Sequence, residues 1–556
     1  MKNDTVYDFV IIGSGFGGSI SAMRLAEKGY DVLVMERGNR FTDKDFVKRD
    51  WHLRKYLWMP ALRCFGIWQN TLLNGIMILH GSGVGGGSLI YANVLMEPDD
   101  RLFAASAWRH LADWEQVLRP HYDTAKKMLG VAPNPQMHAA DDALKAVADD
   151  LGKKDTFRPT EVGVFFNEEK LGELVPDPYF EGAGPDRRAC THCGACMVGC
   201  RTNAKNTLLK NYLFFAEKYG AYVMANTTVK DIVPLSDTGH DGARYAVRYY
   251  RTTARPLALT HTVRARHVIV SAGAVGTNRL LLKCRDVNRS LPRLSKKLGH
   301  NVRTNSESLT GVTARHADKD YSNGVCIGSI FNADDVTQME PVRFPDGSGA
   351  ILGMLSAPLV GQHNKISMRI LKTLARIFRH PVDFLRSKIF PGVARRTIII
   401  LTMQTEDNLM RIKLGRNLFT GFRKDLVCEH DDVRRIKPVV EIAHHGTKLL
   451  AQKINGIAQG AVNESLLNIP STAHFMGGVP FGKTDADGVI DLNCEVHNYP
   501  GLFVVDGSIM PANPGVNPSL TISALAEYAM DQIAPKKGAR VHKPLMKVQE
   551  KEMGEA

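Results

Sequence analysis

No run of about 18 uninterrupted apolar residues occurs in the 556-residue chain, so no transmembrane helix is expected. No internal repeat is visible. Hydrophobic residues make up 44% and charged residues 23%, which excludes a disordered, collagenous or coiled-coil chain. A strand pattern begins by Tyr7. It leaves no room for a secretory signal before it, and the expected compartment is the cytoplasm. Cysteine is sparse. Five of the nine are scattered, at Cys64, Cys284, Cys326, Cys428 and Cys494, which does not suit a disulfide scaffold in a chain of this size. Acidic residues are outnumbered, 57 against 71 Lys and Arg, for a net charge of +14. The basic residues form no recognisable nucleic-acid motif, so no nucleic-acid partner is expected. At roughly 150 residues per domain the length suits three to four domains or two large ones.

The clearest local pattern is at the start. Asp8 to Ile12 is a short apolar run that reads as a buried parallel strand. Gly13-Ser-Gly-Phe-Gly-Gly18 follows, then a helix face marked by Ile20, Met23 and Ala26. Gly29 stands at the C-cap, and a second strand, Tyr30 to Glu36, ends in an acid. This is a βαβ unit with G-x-G-x-x-G at Gly13, Gly15 and Gly18. The first glycine permits a tight turn, the second lets backbone approach a pyrophosphate, and the third allows close helix–strand packing. Glu36 lies where an acid would meet adenosine ribose hydroxyls. A further block, residues 80–88, holds five glycines in seven positions and lets backbone lie against a flat, phosphate-linked ligand. The last strong block, residues 501–530, reads as strand, loop and helix. Nucleotide-type elements at both ends of the chain predict a nucleotide domain assembled from separated segments. Helices are also expected over 118–131 and 204–219, and a loose, charged tail from Lys536.

Four cysteines crowd into eleven residues, Cys190, Cys193, Cys196 and Cys200, with the spacing C-x2-C-x2-C-x3-C. That is the run of bacterial ferredoxins, although Arg201 stands where proline usually follows. Three readings stay open: a [4Fe–4S] cluster, a closed zinc site, or reduced thiols anchoring a loop. A cluster would favour passing electrons to an acceptor protein or quinone.

Three blocks together, VIIGSGFGGS with Glu36, GSGVGGGSLIYANV and VVDGSIMPANPGVNPSLTISALAE, resemble the glucose–methanol–choline (GMC) oxidoreductases, most closely the bacterial cholesterol oxidase branch. The resemblance spans residues 7–530. It implies an α/β fold, a Rossmann-like FAD-binding domain built from discontinuous segments with a mixed-sheet substrate-binding domain. It implies FAD as cofactor and oxidation of an alcohol, with a sterol or other bulky lipid as the leading substrate. A non-sterol alcohol dehydrogenase handing electrons through an iron–sulfur cluster to a partner is the alternative. Gly13, Gly15, Gly18 and Glu36 would hold the ADP half. The loop from Gly83 to Asn93, with Gly87, Ser88 and Tyr91, would follow the pyrophosphate and isoalloxazine; Tyr91 stands where the branch has asparagine. Val229 would touch adenine, and Asp506 and Gly507 the flavin end. His474 matches the family's active-site histidine, a residue type suited to taking a hydroxyl proton near neutral pH. Asn517 matches the partner found in cholesterol oxidases, where most other members have a second histidine. Glu340 corresponds either to the carboxylate that moves a proton in steroid isomerisation or to a surface glutamate.

The blocks predict an FAD domain from 1–100, 200–300 and 465–535, and a substrate domain from 101–199 and 301–464, with a charged tail, 536–556. Residues 363–396 carry nine Lys or Arg and one acid, Asp383. Ile366, Ile370, Leu374, Ile377 and Phe378 fall on one helical face, with Arg369, Lys372, Arg376 and Arg379 away from it. Such a helix either packs its stripe on the substrate domain or rests on an anionic bilayer, giving a peripheral contact at the inner membrane surface.

Overall fold

The computed structural model describes residues 5–236, 241–254, 258–361, 365–388 and 392–546. The apolar run near the N-terminus forms the strand Val6–Ile12, buried almost throughout. It pairs in parallel with Val32–Met35 on one side and His261–Val270 on the other. Strands buried on both faces read as continuous apolar runs, which is why these three look alike in sequence. Tyr222–Met224 extends one edge in parallel. Leu502–Val504 pairs in parallel with His261–Val270, so the end of the chain returns to its beginning. Tyr245–Arg251 and Thr227–Pro234 complete this seven-stranded sheet in antiparallel fashion. The helices Phe16–Glu27 and Ser519–Asp531 pack together beside it. Their shared interior holds Arg24, which bonds Glu527 at 2.7 Å and Glu27 at 3.0 Å. A buried guanidinium is tolerable only with such paired carboxylates.

A second seven-stranded sheet is antiparallel and runs Ser356–Pro358, Gly456–Ala461, Ser308–Ala314, Thr397–Gln404, Thr337–Val342, Ser329–Asn332, Arg158–Pro159. Its period-two alternation separates two faces. Ile398, Ile400, Val312 and Met339 join Leu144, Val147 and Leu450 in a core beneath the helices Ala139–Asp150 and Glu441–Lys453. The intervening residues Ile399, Leu401 and Leu309 turn the other way, into a cavity. Among the described residues no helix is long and apolar enough to cross a membrane.

Three expectations change. The helix expected over 118–131 is Trp114–Leu129, capped by Asp113 accepting from the Gln116 amide and closed by Gly130 at φ 57°. That expected over 204–219 is α-helical only at Tyr212–Lys218. Ala204 and Asn206 pair their backbone with Phe165 and Gly163 at 2.9 Å instead. The tail is not loose over its described part. The His542 and Leu545 amides donate to Glu27, at its carbonyl and carboxylate, and Arg24 donates to the Leu545 carbonyl. Residues 547–556 lie outside the described residues.

Candidate active site and cofactor cradle

The cavity between the sheets measures about 820 Å3. Its floor is the glycine turn after the first strand. Gly13 has φ +103°, and a Cβ there would lie 2.2 Å from the Ser271 carbonyl oxygen; one on Gly18 would lie 2.1 Å from that of Gly13. A Cβ on Gly15 would meet nothing within 4 Å, and Gly15 lines the cavity. The first and third glycines are thus demanded by packing, and the second by open space for a ligand. Glu36 is buried against this turn. Its Oε2 accepts from the Ser14 amide and hydroxyl and its Oε1 from the Gly38 amide. Val229 lines the cavity from the strand Thr227–Pro234.

The second glycine block lies back to back with the first: a Cβ on Gly86 would come within 2.6 Å of the Gly15 Cα. Gly86, Gly87 and Tyr91 line the cavity, whereas Gly83 and Ser88 hold the loop from behind. The Gly83 carbonyl accepts from the Ser14 hydroxyl at 3.4 Å, and the Ser88 hydroxyl donates to the Gly85 carbonyl at 2.7 Å. Tyr91 donates its hydroxyl to the Asn206 carbonyl at 3.0 Å, with the Lys205 ammonium 4.6 Å from its ring centre. Asn93 is fully buried at φ 73°, and neither its Oδ1 nor its Nδ2 has a hydrogen-bond partner. Asp506 and Gly507 line the cavity too. The Asp506 carboxylate accepts from the Gly273 and Ser508 amides, and burial raises its pKa.

His474 follows the short strand Ser471–Thr472 and is 9% exposed on the cavity wall. Its backbone amide donates to the Thr472 hydroxyl at 3.0 Å. Nδ1 lies against the Glu307 carboxylate and stands 3.2 Å from the Asn305 amide nitrogen. That nitrogen also donates to the Val516 carbonyl at 2.8 Å, next to Asn517. Asn517 faces the same cavity with Oδ1 unpartnered. Glu340 is no surface residue: it is completely buried. Burial pushes its carboxyl up to about 8, opposed by the neighbouring Asn517 amide and reinforced by Glu307. At pH 7 it is a neutral acid, able to donate a proton as well as take one. His474, Asn517 and Glu340, far apart in sequence, are therefore neighbours. Glu307 and Asn305 were missed. They sit in a polar stretch before the strand Ser308–Ala314, where no motif marks them. Glu464, whose carboxyl burial also raises to about 8, was missed for the same reason.

The four clustered cysteines do not form a ligand set. Cys190 is buried, Cys193 is exposed, and Cys196 and Cys200 are half-buried. Among the described residues no three His, Cys, Asp or Glu side chains are placed to hold a metal ion. The loop turns through His192 at φ 53° and Gly194 at φ 68°. The Cys190 sulfur accepts from the His192 amide, and the Cys193 backbone pairs with Gly324. Burial raises the Cys190 thiol and holds Cys196 at about 11, so both stay protonated at neutral pH. In this placement the four thiols match neither an iron–sulfur nor a zinc site among the described residues. The buried Lys205 ties the loop to the cradle, donating to the carbonyls of Leu89, Tyr91 and Cys196.

A parallel-stranded nucleotide sheet, two abutting glycine turns and a histidine–asparagine pair facing one cavity define a flavoprotein oxidoreductase architecture. The chain belongs to the GMC oxidoreductase family, whose descriptions match residues 183–302 and 434–526; an NAD(P)-binding Rossmann-like description matches 11–42. It is 42% identical over 536 residues to a cholesterol oxidase of Acinetobacter baumannii, covering 96% of this chain and 95% of that one. It is 44% identical over 560 residues to a cholesterol oxidase of Mycobacterium tuberculosis strain H37Rv, covering 98% and 93%. A long-chain-alcohol oxidase, FAO4B, of Arabidopsis thaliana is 24% identical, covering 94% and 67%. The fold is shared with a pyridoxine 4-oxidase from Mesorbium loti, at TM-score 0.59 and 16% identity over 95% and 99% of the two chains. Membership implies FAD. The cradle fits it: the space at Gly15 is open, and the unpartnered Asn517 Oδ1 faces the cavity, while Asn93 is not among the residues lining it.

Proposed function

We propose that the protein oxidises the hydroxyl group of a sterol or similarly bulky lipid alcohol, with FAD as its cofactor. The observation that carries this reading is that His474 and Asn517 both line the cavity that the glycine cradle floors, with the neutral acid Glu340 buried against Asn517. Bound flavin supplies the acceptor for the hydride. His474 takes the hydroxyl proton as the C–H bond breaks and the carbonyl forms. Asn517 offers its amide to the substrate oxygen. Glu340 is suited to carrying a proton within the steroid if a double bond is moved. Leu309, Ile399, Leu401, Val342 and Phe344 give the wall an apolar character that a sterol skeleton suits and a sugar does not. The names of the cholesterol oxidase relatives support the substrate class. Segments 1–100, 200–300 and 465–535 serve as the cofactor part, and 101–199 with 301–464 as the substrate part. The test is anaerobic bleaching of the flavin by a panel of sterols, long-chain alcohols and sugars. Bleaching by sterols is expected; bleaching by sugars alone would reverse the assignment. Adding a quinone, an acceptor protein or O2 afterwards identifies the electron acceptor.

A membrane contact is part of the same reading, with the enzyme peripheral to the cytoplasmic face of the inner membrane. The helix Ile366–Arg379 turns Ile366, Ile370, Leu374 and Phe378 outward, Phe378 being 80% exposed. Val382 and Leu385 continue the apolar surface on Pro381–Lys388. Arg369 is not on the outer face as expected. It is fully buried and anchors the helix through the carbonyls of Ser465, Glu464 and Gly361. An exposed apolar stripe bordered by Lys365, Lys372 and Arg379 suits an anionic bilayer. Residues 363, 364 and 389–391 of this segment lie outside the described residues. Sedimentation with anionic vesicles tests the contact. Phe378→Glu with Leu374→Glu should weaken it at least tenfold, and wild type that stays in solution at low salt would end the idea.

A further inference from the structure

Glu307 is 2% exposed and stands at the entry to the strand Ser308–Ala314, an interior strand of the antiparallel sheet. Its Oε2 accepts from the Ala473 backbone amide at 2.6 Å, and its Oε1 lies against His474 Nδ1. The carboxylate thus grips both the residue before His474 and the imidazole itself. The other acids near the ring do not share this place. Glu340 lies on the strand Thr337–Val342 and Glu464 on the helix Val462–Leu467; burial leaves both neutral at pH 7. The remaining polar neighbour at Nδ1, the Asn305 amide nitrogen at 3.2 Å, carries no charge and can only donate, so it competes with Glu307 over which ring nitrogen holds the proton.

We propose that Glu307 is the positioning residue of the active-site histidine: its carboxylate holds the proton on Nδ1, turns the Nε2 lone pair to the cavity and stabilises the imidazolium formed when Nε2 takes the substrate proton. The proposal rests on the reading of His474 as the base. Its physical logic is that an imidazole can accept on only one nitrogen, and the partner on the other nitrogen decides which. A carboxylate in contact also favours the charged ring over the neutral one. A structural glutamate whose task is to bond the Ala473 amide would do neither.

The variants are Glu307→Gln, which keeps the shape and loses the charge, and Glu307→Asp, which keeps the charge on a shorter arm. The readout is 15N NMR of histidine-labelled holoenzyme, with the His474 signals assigned by their loss in His474→Gln; no substrate is needed. Wild type should show neutral His474 protonated at Nδ1. In Glu307→Gln the imidazolium form should vanish at a pH about one unit lower than in wild type, and Glu307→Asp should restore part of that difference. In stopped flow, flavin reduction by the best alcohol should fall at least tenfold in Glu307→Gln, with its rising limb displaced to lower pH. His474 titration curves that superimpose in wild type and Glu307→Gln, or a wild-type ring protonated at Nε2, would overturn the assignment. Failure of every alcohol to reduce the flavin would count against the proposed function and leave the NMR result to decide this one. If Glu307→Gln does not fold, Glu307→Asp is compared alone, and an unchanged titration there is equally adverse.

Discussion

Ser14 and Glu36 are locked together: the Ser14 amide and hydroxyl both donate to Oε2 of Glu36, at 3.1 and 2.8 Å. The residue between the first two glycines of the turn is thereby tied to the end of the second strand, 22 positions on. The same hydroxyl lies 3.4 Å from the Gly83 carbonyl and accepts from the Gly85 amide at 3.1 Å. One serine thus joins both glycine blocks and the acid, and the cradle is built before any ligand enters.

Gly15→Val should yield a folded protein without flavin. The added Cβ meets no protein atom within 4 Å, and the side chain fills the space left for the pyrophosphate. Absorbance of the purified variant and its circular dichroism spectrum check the two halves of this statement. A full flavin complement would contradict it.

His474→Gln should retain FAD and lose roughly 10²–10⁴ in the rate of flavin reduction, the range for a lost general base. Asn517→Ala should also slow reduction. Stopped-flow traces under anaerobic conditions measure both, and wild-type rates in His474→Gln would remove the histidine from the chemistry.

Glu340 makes a pH prediction whose sign is fixed. Its folded-state pKa of about 8 lies above the ordinary glutamate value of 4.5. Its neutral form therefore supports the fold fully below the unfolded value, and that support is lost as pH rises towards and through 8. Glu340→Gln, neutral at every pH, should make stability fall less steeply between pH 5 and 8, by up to about 1.4 kcal/mol per pH unit. Urea denaturation at pH 5 and pH 8 compares the two proteins. Equal slopes would mean that Glu340 is not held neutral.

Cys193→Ser should leave flavin content and sterol turnover within about twofold of wild type, as expected for an exposed side chain away from special features. Anaerobically purified wild type should carry neither iron nor zinc at one equivalent. Stoichiometric metal that disappears in Cys193→Ser would show that the thiols regroup around an ion.

The local elements of the cofactor half were legible because their chemistry is local. A turn needing φ +103° at Gly13, a helix following it and an acid ending the next strand are short-range demands, visible as letters at fixed spacing. The thiol spacing was equally legible and misled, since spacing sets which sulfurs can converge but the loop's pairing with residues 322–326 and its burial set whether they do. The stripe on 366–378 was plain as a period, yet periodicity cannot say which side faces out; the buried bonds of Arg369 decided that. Glu307 was beyond the sequence altogether. Its 167-residue separation from His474 is closed by the entry to an interior strand of one sheet meeting the chain that leads back to the other, and only tertiary packing turns a polar stretch before a strand into the partner of the His474 imidazole.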